Sequence, residues 1–169
     1  MNPIPVPDIL ARRSVRRYTA QPVSEEQITL LLQAGMAAPS ASNRQPWHFV
    51  VVTSRPTLNA LADRHPYAKM LYQAPLCIAV CGEPALSENF WVQDCSAATE
   101  NILLAATGLG LGAVWLGVHP NAERTQAVRE SLNLPANITP LCLISIGYPA
   151  EHPPARTQYK AERVHRERW

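Results

Sequence analysis

Four short, almost wholly apolar runs constrain this chain more than any other feature: Trp47 to Thr53, Pro75 to Cys81, Ala113 to Val118 and Ile138 to Ile146. Segments of this length, rich in valine, isoleucine and leucine and bounded by turn residues, read as buried strands. Helical patterns separate them. Asp8 is expected to cap a first helix through Leu10 and Ala11. Ser24 and Gln27 form a capping box that opens a second helix through Ile28, Leu31, Leu32 and Ala34 to about Ala38, ended by Pro39. A short helix is expected from about Pro56 to Ala62 and a long one from Asn89 to Thr107, whose Ala97, Ala98, Ala105 and Ala106 admit another helix closely. Asn121 caps a last helix ending near Leu132. Helices alternating with apolar strands imply an α/β or α+β sandwich, with helices over a central sheet.

Composition narrows the function classes. A length of 169 residues with 47% hydrophobic content suits one domain with a core of its own. Lysine and arginine number 15 against 13 acidic residues, a formal charge of +2 without a long basic run, so nucleic acid is not an expected partner. The start, Met1 to Pro7, has neither a charged n-region nor an apolar h-region, and no apolar stretch reaches the roughly 20 residues of a membrane helix, so no membrane association and a cytoplasmic location are expected. Cys77, Cys81, Cys95 and Cys142 form no C-x-x-C pair and read as small core residues rather than zinc ligands or a redox dithiol. The 16 prolines gather near both ends, as in extended arms that cross to a partner subunit.

Two motifs carry the chemistry. Arg12-Arg13-Ser14-Val15-Arg16-Arg17-Tyr18 sets four guanidinium groups and a hydroxyl within seven residues, which suits a phosphate-bearing ligand. Its plain alternative is a solvated basic face. Pro39-Ser40-Ala41-Ser42-Asn43-Arg44-Gln45-Pro46-Trp47-His48-Phe49 places polar side chains at a strand mouth, a common ligand position, although proline, serine and asparagine also serve ordinary turns.

The order and spacing of these motifs resemble the nitroreductase family of FMN-dependent oxidoreductases, in particular its compact members. Asp94 to Gly112, ending in Gly108-Leu109-Gly110-Leu111-Gly112, resembles that family's long central helix, Ala113 to Val118 its following strand, and Arg163 to Trp169 the ending of its short members. The resemblance implies an α+β sandwich over residues 1–169, with a mixed central sheet flanked by helices, a C-terminal arm from about residue 149, and an intertwined homodimer binding two FMN molecules where the subunits meet.

It also implies roles for individual residues. Arg12 stands where the family binds phosphate, and Arg13 and Ser14 where it contacts the phosphate, ribityl chain or flavin edge. Arg16 matches the basic position beside the pyrimidine end of the ring, where a fixed cation stabilises the reduced anionic flavin. An ion pair of Arg16 with Glu25 or Glu26 is the alternative, and Arg17 is read as ion-paired. Pro39, Ser40, Ala41, Asn43 and Gln45 match positions lying against the flavin, the first four from the neighbouring subunit, while Trp47 and His48 read as core or strand-start residues. Leu116 and Gly117 match backbone positions along the ring, with a Gly117 N–H directed at N5. A bulge or turn is the alternative for this glycine. Arg156 and Gln158 fall where relatives carry two basic residues at the phosphate; Gln158 departs from that pattern, and Lys160 or Arg163 stands nearby as a substitute.

The activity implied is ping-pong electron transfer from NAD(P)H through FMN to a small oxidised acceptor such as a nitroaromatic or a quinone, with no catalytic side chain and no metal. The chain has no G-x-G-x-x-G element, so pyridine nucleotide is expected to bind by stacking rather than in a Rossmann domain. The loop with His65, Pro66 and Tyr67 is a candidate substrate-side lid. Alternatives are a specialised flavin enzyme of the same fold (dehalogenase, azoline oxidase or flavin-fragmenting enzyme) and a flavin-storage or redox-sensing protein.

Overall fold

Ser24 accepts a hydrogen bond from the Gln27 N–H (3.2 Å) while the Gln27 side chain accepts from the Ser24 N–H (3.2 Å), closing the expected capping box of helix α2, Glu25–Met36. The computed structural model describes residues 7–155 and 157–169, and the side chains of Pro7 and Asp8 are outside that description. Helix α1, Pro7–Ala11, begins on proline, whose fixed φ suits the first helical position. Asp8 falls within this helix, and its expected capping contact lies outside the described residues. Helix α2 stops at Met36, with the Ala37 N–H closing on the Gln33 and Ala34 carbonyls, because the residues leading to Pro39 are biased away from helix.

The four strands are β1 (Trp47–Val52), β2 (Leu76–Gly82), β3 (Gly112–Gly117) and β4 (Thr139–Gly147), in the spatial order β1-β2-β4-β3 and antiparallel throughout. The four strands thus form an antiparallel sheet; the parallel contact is an isolated bridge from the first arginine motif, where Ser14 bridges Ala113 on the outer side of β3 and the Val15 N–H donates to the Ala113 carbonyl at 3.0 Å.

Alternation along the strands divides the core in two. Leu76, Ile78 and Val80 of β2 face helices α2 and α4 (Trp91–Gly108), together with Ile144 and Ile146 of β4. Cys77, Ala79 and Cys81 face α3 (Arg55–Arg64) and α5 (Ala122–Leu132), with Leu143, Val114 and Leu116. Helices thus cover both faces, and β2 is buried along its whole length. The close helix pair read from the α4 alanines is α2 on α4: a Cβ at Gly35 would sit 3.0 Å from Ile102 and 3.2 Å from Phe49, and Asn101 donates to the Ala34 carbonyl at 3.0 Å.

Asn121 caps α5 by accepting from the Arg124 N–H at 2.9 Å. The segment Lys69–Tyr72, just after the loop with His65, Pro66 and Tyr67, is a turn of 3-10 helix. All four cysteines are buried and unpaired. No helix among the described residues is long and apolar enough to cross a membrane. The C-terminal arm starts by pairing with the arginine motif: Tyr18 bridges Pro149, the Ala150 N–H donates to the Arg17 carbonyl at 2.8 Å, and the Arg16 N–H donates to Glu151 Oε1 at 2.6 Å.

Candidate functional site

Strand β3 sets the site through the alternation of its hydrogen bonds. The Val118 N–H donates to the Leu141 carbonyl at 3.1 Å, and the register pairs Gly117 with Cys142, so the N–H and C=O of Gly117 belong to the alternate set that points away from β4. They face the free edge of the sheet, as the Ala113 carbonyl does where it receives Val15. Gly117 ends the strand without a bulge. A Cβ built on it would meet no atom of the chain within 4 Å, and its φ is not left-handed. Neither packing nor a left-handed backbone requires a glycine here, and the space beside it is open.

That space is a cavity of about 480 Å³ lined by Arg16, Tyr67, Lys69, Met70, Leu116 and Gly117, with Pro66 and Trp115. Three of the residues expected at a flavin ring, Arg16, Leu116 and Gly117, are therefore brought together. The His65-to-Tyr67 loop read as a lid contributes Pro66 and Tyr67 to the wall. Arg16 makes no ion pair among the described residues, so the alternative pairing with Glu25 or Glu26 is absent, and Arg17 is likewise unpaired among them. Neighbours in sequence are not neighbours here: α2 leaves the sheet edge to pack on α4.

The Gly117 carbonyl accepts two hydrogen bonds, from His65 Nε2 at 3.0 Å and from Arg124 Nη1 at 3.3 Å. His65 is 1% exposed. Its Nδ1 accepts the Tyr67 N–H at 3.2 Å. An amide N–H only donates and a carbonyl only accepts, so the ring is the neutral tautomer with its proton on Nε2. Burial pushes the imidazole below its usual value, with the Arg124 guanidinium adding to the shift and the Gly117 hydrogen bond opposing it. Arg124 also lies over the ring of Tyr67, 4.9 Å from its centroid.

The other expected phosphate ligands diverge because the segment is extended and successive side chains alternate. Arg12 pairs with Glu100 of α4 at 3.4 Å. Arg13 donates to the Pro154 carbonyl and lines a second cavity of about 370 Å³ with Gly110, Gly112, Glu151 and His152. Ser14 is exposed on the free edge. Gln158, Lys160 and Arg163 are exposed on the arm, no hydrogen bond joins Gln158 to Arg12 or Arg13 among the described residues, and Arg156 lies outside them.

The second motif builds a separate corner. Ser40 Oγ accepts the Gln45 N–H at 3.0 Å, and Asn43 Oδ1 accepts Gln45 Nε2 at 2.9 Å. Ser42, Asn43 and Gln45 all adopt left-handed backbone, at φ 50°, 52° and 48°. The Ala41 N–H donates to Asp94 Oδ1 at 2.9 Å, and the Ser87 hydroxyl donates to Asp94 Oδ2 at 2.8 Å. Asp94 is 6% exposed and anchors the loop to α4. Pro39 is exposed, and Trp47 is buried at the start of β1; His48 is exposed beside Glu83 at 3.6 Å. This loop leads into β1, one edge of the sheet, whereas Arg16 and Gly117 lie at β3, the other edge. Three strand spacings separate them, about 14 Å. Both lie at the same end of the sheet, where Trp47 pairs with Gly82 and Gly117 with Cys142. One chain does not bring the two motifs together.

Lys69, Met70 and Arg124 carry no sequence pattern that marks them, and His65 is marked only as part of the candidate lid loop, not as a partner of Gly117. Asp94 gave a signal of another kind, as a carboxylate in the mostly apolar run Trp91 to Cys95.

An antiparallel sheet between two helical layers, with a basic cleft opening on a bare glycine at the sheet edge, defines an α+β sandwich with a cavity at one edge of its sheet. The model of the Nitroreductase family matches residues 9–65 and 57–148. The chain belongs to that family. It is 47% identical over 167 residues, 95% of this chain and 96% of the relative, to an Archaeoglobus fulgidus protein named "Putative NADH dehydrogenase/NAD(P)H nitroreductase". A crystal structure under the same name from Bacteroides thetaiotaomicron shares 47% identity at a TM-score of 0.94, covering 96% of each chain. A nitroreductase from Desulfovibrio desulfuricans, solved in complex with FMN, shares 34% identity at a TM-score of 0.84, covering 99% of each chain.

Proposed function

We propose that this protein is an FMN-dependent oxidoreductase that carries electrons from NAD(P)H to small oxidised acceptors, nitroaromatics and quinones among them, the two substrates using one slot in turn. The observation that carries this reading is Gly117: a glycine that neither packing nor φ requires, with its N–H turned to a cavity of about 480 Å³ that also receives Arg16. The residues fit a flavin. A planar ring needs close backbone approach along one edge and a cation near its pyrimidine end, and the cleft offers both.

When bound, FMN supplies the hydride and electron chemistry. The chain's own residues bind and orient it. Arg16, free of any ion pair among the described residues, holds positive charge where negative charge grows on reduction. Leu116 and Gly117 offer backbone to the ring. The phosphate is assigned to the segment Arg12-Arg13-Ser14, whose side chains leave in different directions here, Arg12 to Glu100 and Arg13 to the Pro154 carbonyl, so its binding requires at least one of those contacts to open. Tyr67, 64% exposed, and Met70 add side-chain surface to the same cavity.

Pro39, Ser40, Ala41 and Asn43 reach the flavin of a second copy, with Gln45 of the same loop a further flavin contact, so the working form is a homodimer with two sites. Their placement across the sheet from Arg16 supports this, since a single chain leaves each half open. The NAD(P)H-linked names of close relatives support the reductant.

The test is an absorbance spectrum of the purified protein, identification of the released chromophore, and anaerobic addition of NADH or NADPH. Bound FMN that bleaches is the expected result. Absence of flavin even after FMN is added refutes the reading, and bound FMN that resists both nucleotides replaces it with a storage or sensing role.

A further inference from the structure

Glycine has the freest backbone of any residue, yet the proposed role of Gly117 requires its N–H to be held at one angle. Leu116 is tied into β4 on its far side, and Val118 donates to Leu141 at 3.1 Å, but the outward groups of Gly117 receive nothing from the sheet. What holds them comes from two helices on the same face of the sheet. His65, the residue after α3, and Arg124, in the first turn of α5, both donate to the Gly117 carbonyl, at 3.0 and 3.3 Å. The two differ in kind. Arg124 is half-buried on a long flexible stem, whereas His65 is fully enclosed and held at its other nitrogen by the Tyr67 N–H at 3.2 Å.

We propose that His65 is a positioning residue for the flavin: as the Nε2–H tautomer it pins the carbonyl of Gly117, fixes the direction of that residue's N–H into the cavity, and thereby sets the reduction potential of the bound ring. This rests on the FMN reading of the cavity. A fixed N–H supports a ring nitrogen that is a free acceptor only in the oxidised flavin, so His65 strengthens binding of the oxidised form relative to the reduced form. The same imidazole ties the cavity's two walls together, since its second hydrogen bond holds Tyr67.

His65→Phe keeps the ring and removes both hydrogen bonds; His65→Gln returns a donor near the Nε2 position. The experiment measures FMN dissociation constants for oxidised and reduced flavin, together with the backbone amide spectrum of the apoprotein. The expected result is a rise in potential of about 30 mV for His65→Phe, equivalent to a tenfold change in the ratio of the two constants for two electrons, with most of it recovered in His65→Gln. The Gly117 amide signal of the apoprotein broadens or splits in His65→Phe and stays single in His65→Gln. An unchanged or lowered potential with an unchanged Gly117 amide overturns the inference. Should His65→Phe fail to fold, Arg124→Met removes the other donor from a half-buried site, and there the same two readouts moving the same way sustain the argument; neither moving defeats it. Wild-type protein that takes up no FMN overturns the functional reading and this inference with it. Wild-type protein that binds FMN beside variants indistinguishable from it overturns the inference alone.

Discussion

Gly117→Ala separates folding from ligand binding. The new methyl group meets nothing in the chain within 4 Å, and the backbone is not left-handed, so the folded protein accepts it without strain. Replacing glycine where the conformation is compatible restricts the unfolded chain and stabilises by about 0.4–1 kcal/mol. For a chain of this size that raises Tm by about 1–4 °C. A ligand that uses the space beside Gly117 meets the methyl group instead. Overpacking a fitted contact costs about 1–3 kcal/mol. At about 1.4 kcal/mol per tenfold, FMN binding weakens by roughly 5- to 150-fold. Thermal unfolding of the apoprotein and a fluorescence titration with FMN read the two quantities separately. Unchanged FMN affinity refutes the argument that the glycine is there for close approach. A Tm lowered by several degrees refutes the claim that the chain leaves that space empty.

Asp94→Ala removes a buried carboxylate that receives the Ala41 N–H and the Ser87 hydroxyl, and destabilises the protein by about 2–4 kcal/mol in urea unfolding, whereas Asp94→Asn keeps an acceptor and costs less. Arg12→Ala changes stability by less than about 1 kcal/mol, because the pair with Glu100 is half-exposed, yet it accelerates FMN loss on gel filtration; retention equal to wild type counts against Arg12 at the phosphate. His65 is held neutral by burial, so the folded ring takes its proton at lower pH than the unfolded ring; its contribution is complete above the ordinary imidazole value of about 6.5 and declines as pH falls below it, and Tm measured against pH loses that part of its slope in His65→Phe. Burial pushes the thiols of Cys81, Cys95 and Cys142 up to about 12, and that of Cys77 upward as well, so an aromatic disulfide reagent at mildly alkaline pH finds no reactive thiol in the native protein and four after unfolding.

What could be read from the sequence was what is local or periodic. The capping box at Ser24 and Gln27 and the Asn121 cap each close over three residues, so their geometry follows from the residue types alone. The four strands fall within a residue or two of the apolar runs because alternating burial on two faces leaves little freedom in where a run starts and stops. Within the candidate site, Arg16, Leu116 and Gly117 came from motif order and do share a cavity. The rest depends on pairs far apart in the chain. His65 meets Gly117 across 52 positions, Ala41 meets Asp94 across 53, and no local pattern encodes either. The same lack of tertiary information made Glu25 and Glu26 look like partners for Arg16, and it concealed the mutual hydrogen bond of Asn43 and Gln45, which holds both amides within their own loop.

The placement of the two motifs on opposite edges of one sheet has a consequence for how the protein behaves in a cell. On the proposed arrangement each cofactor is a bridge between two chains, so flavin uptake and subunit association are a single linked equilibrium. Dilution then empties the sites as surely as scarcity of flavin does, and abundant flavin holds together copies that would otherwise drift apart. At low concentration the amount of working dimer then follows the square of the free chain concentration and the square of the free flavin concentration, so a cell short of either would lose the activity more steeply than in proportion.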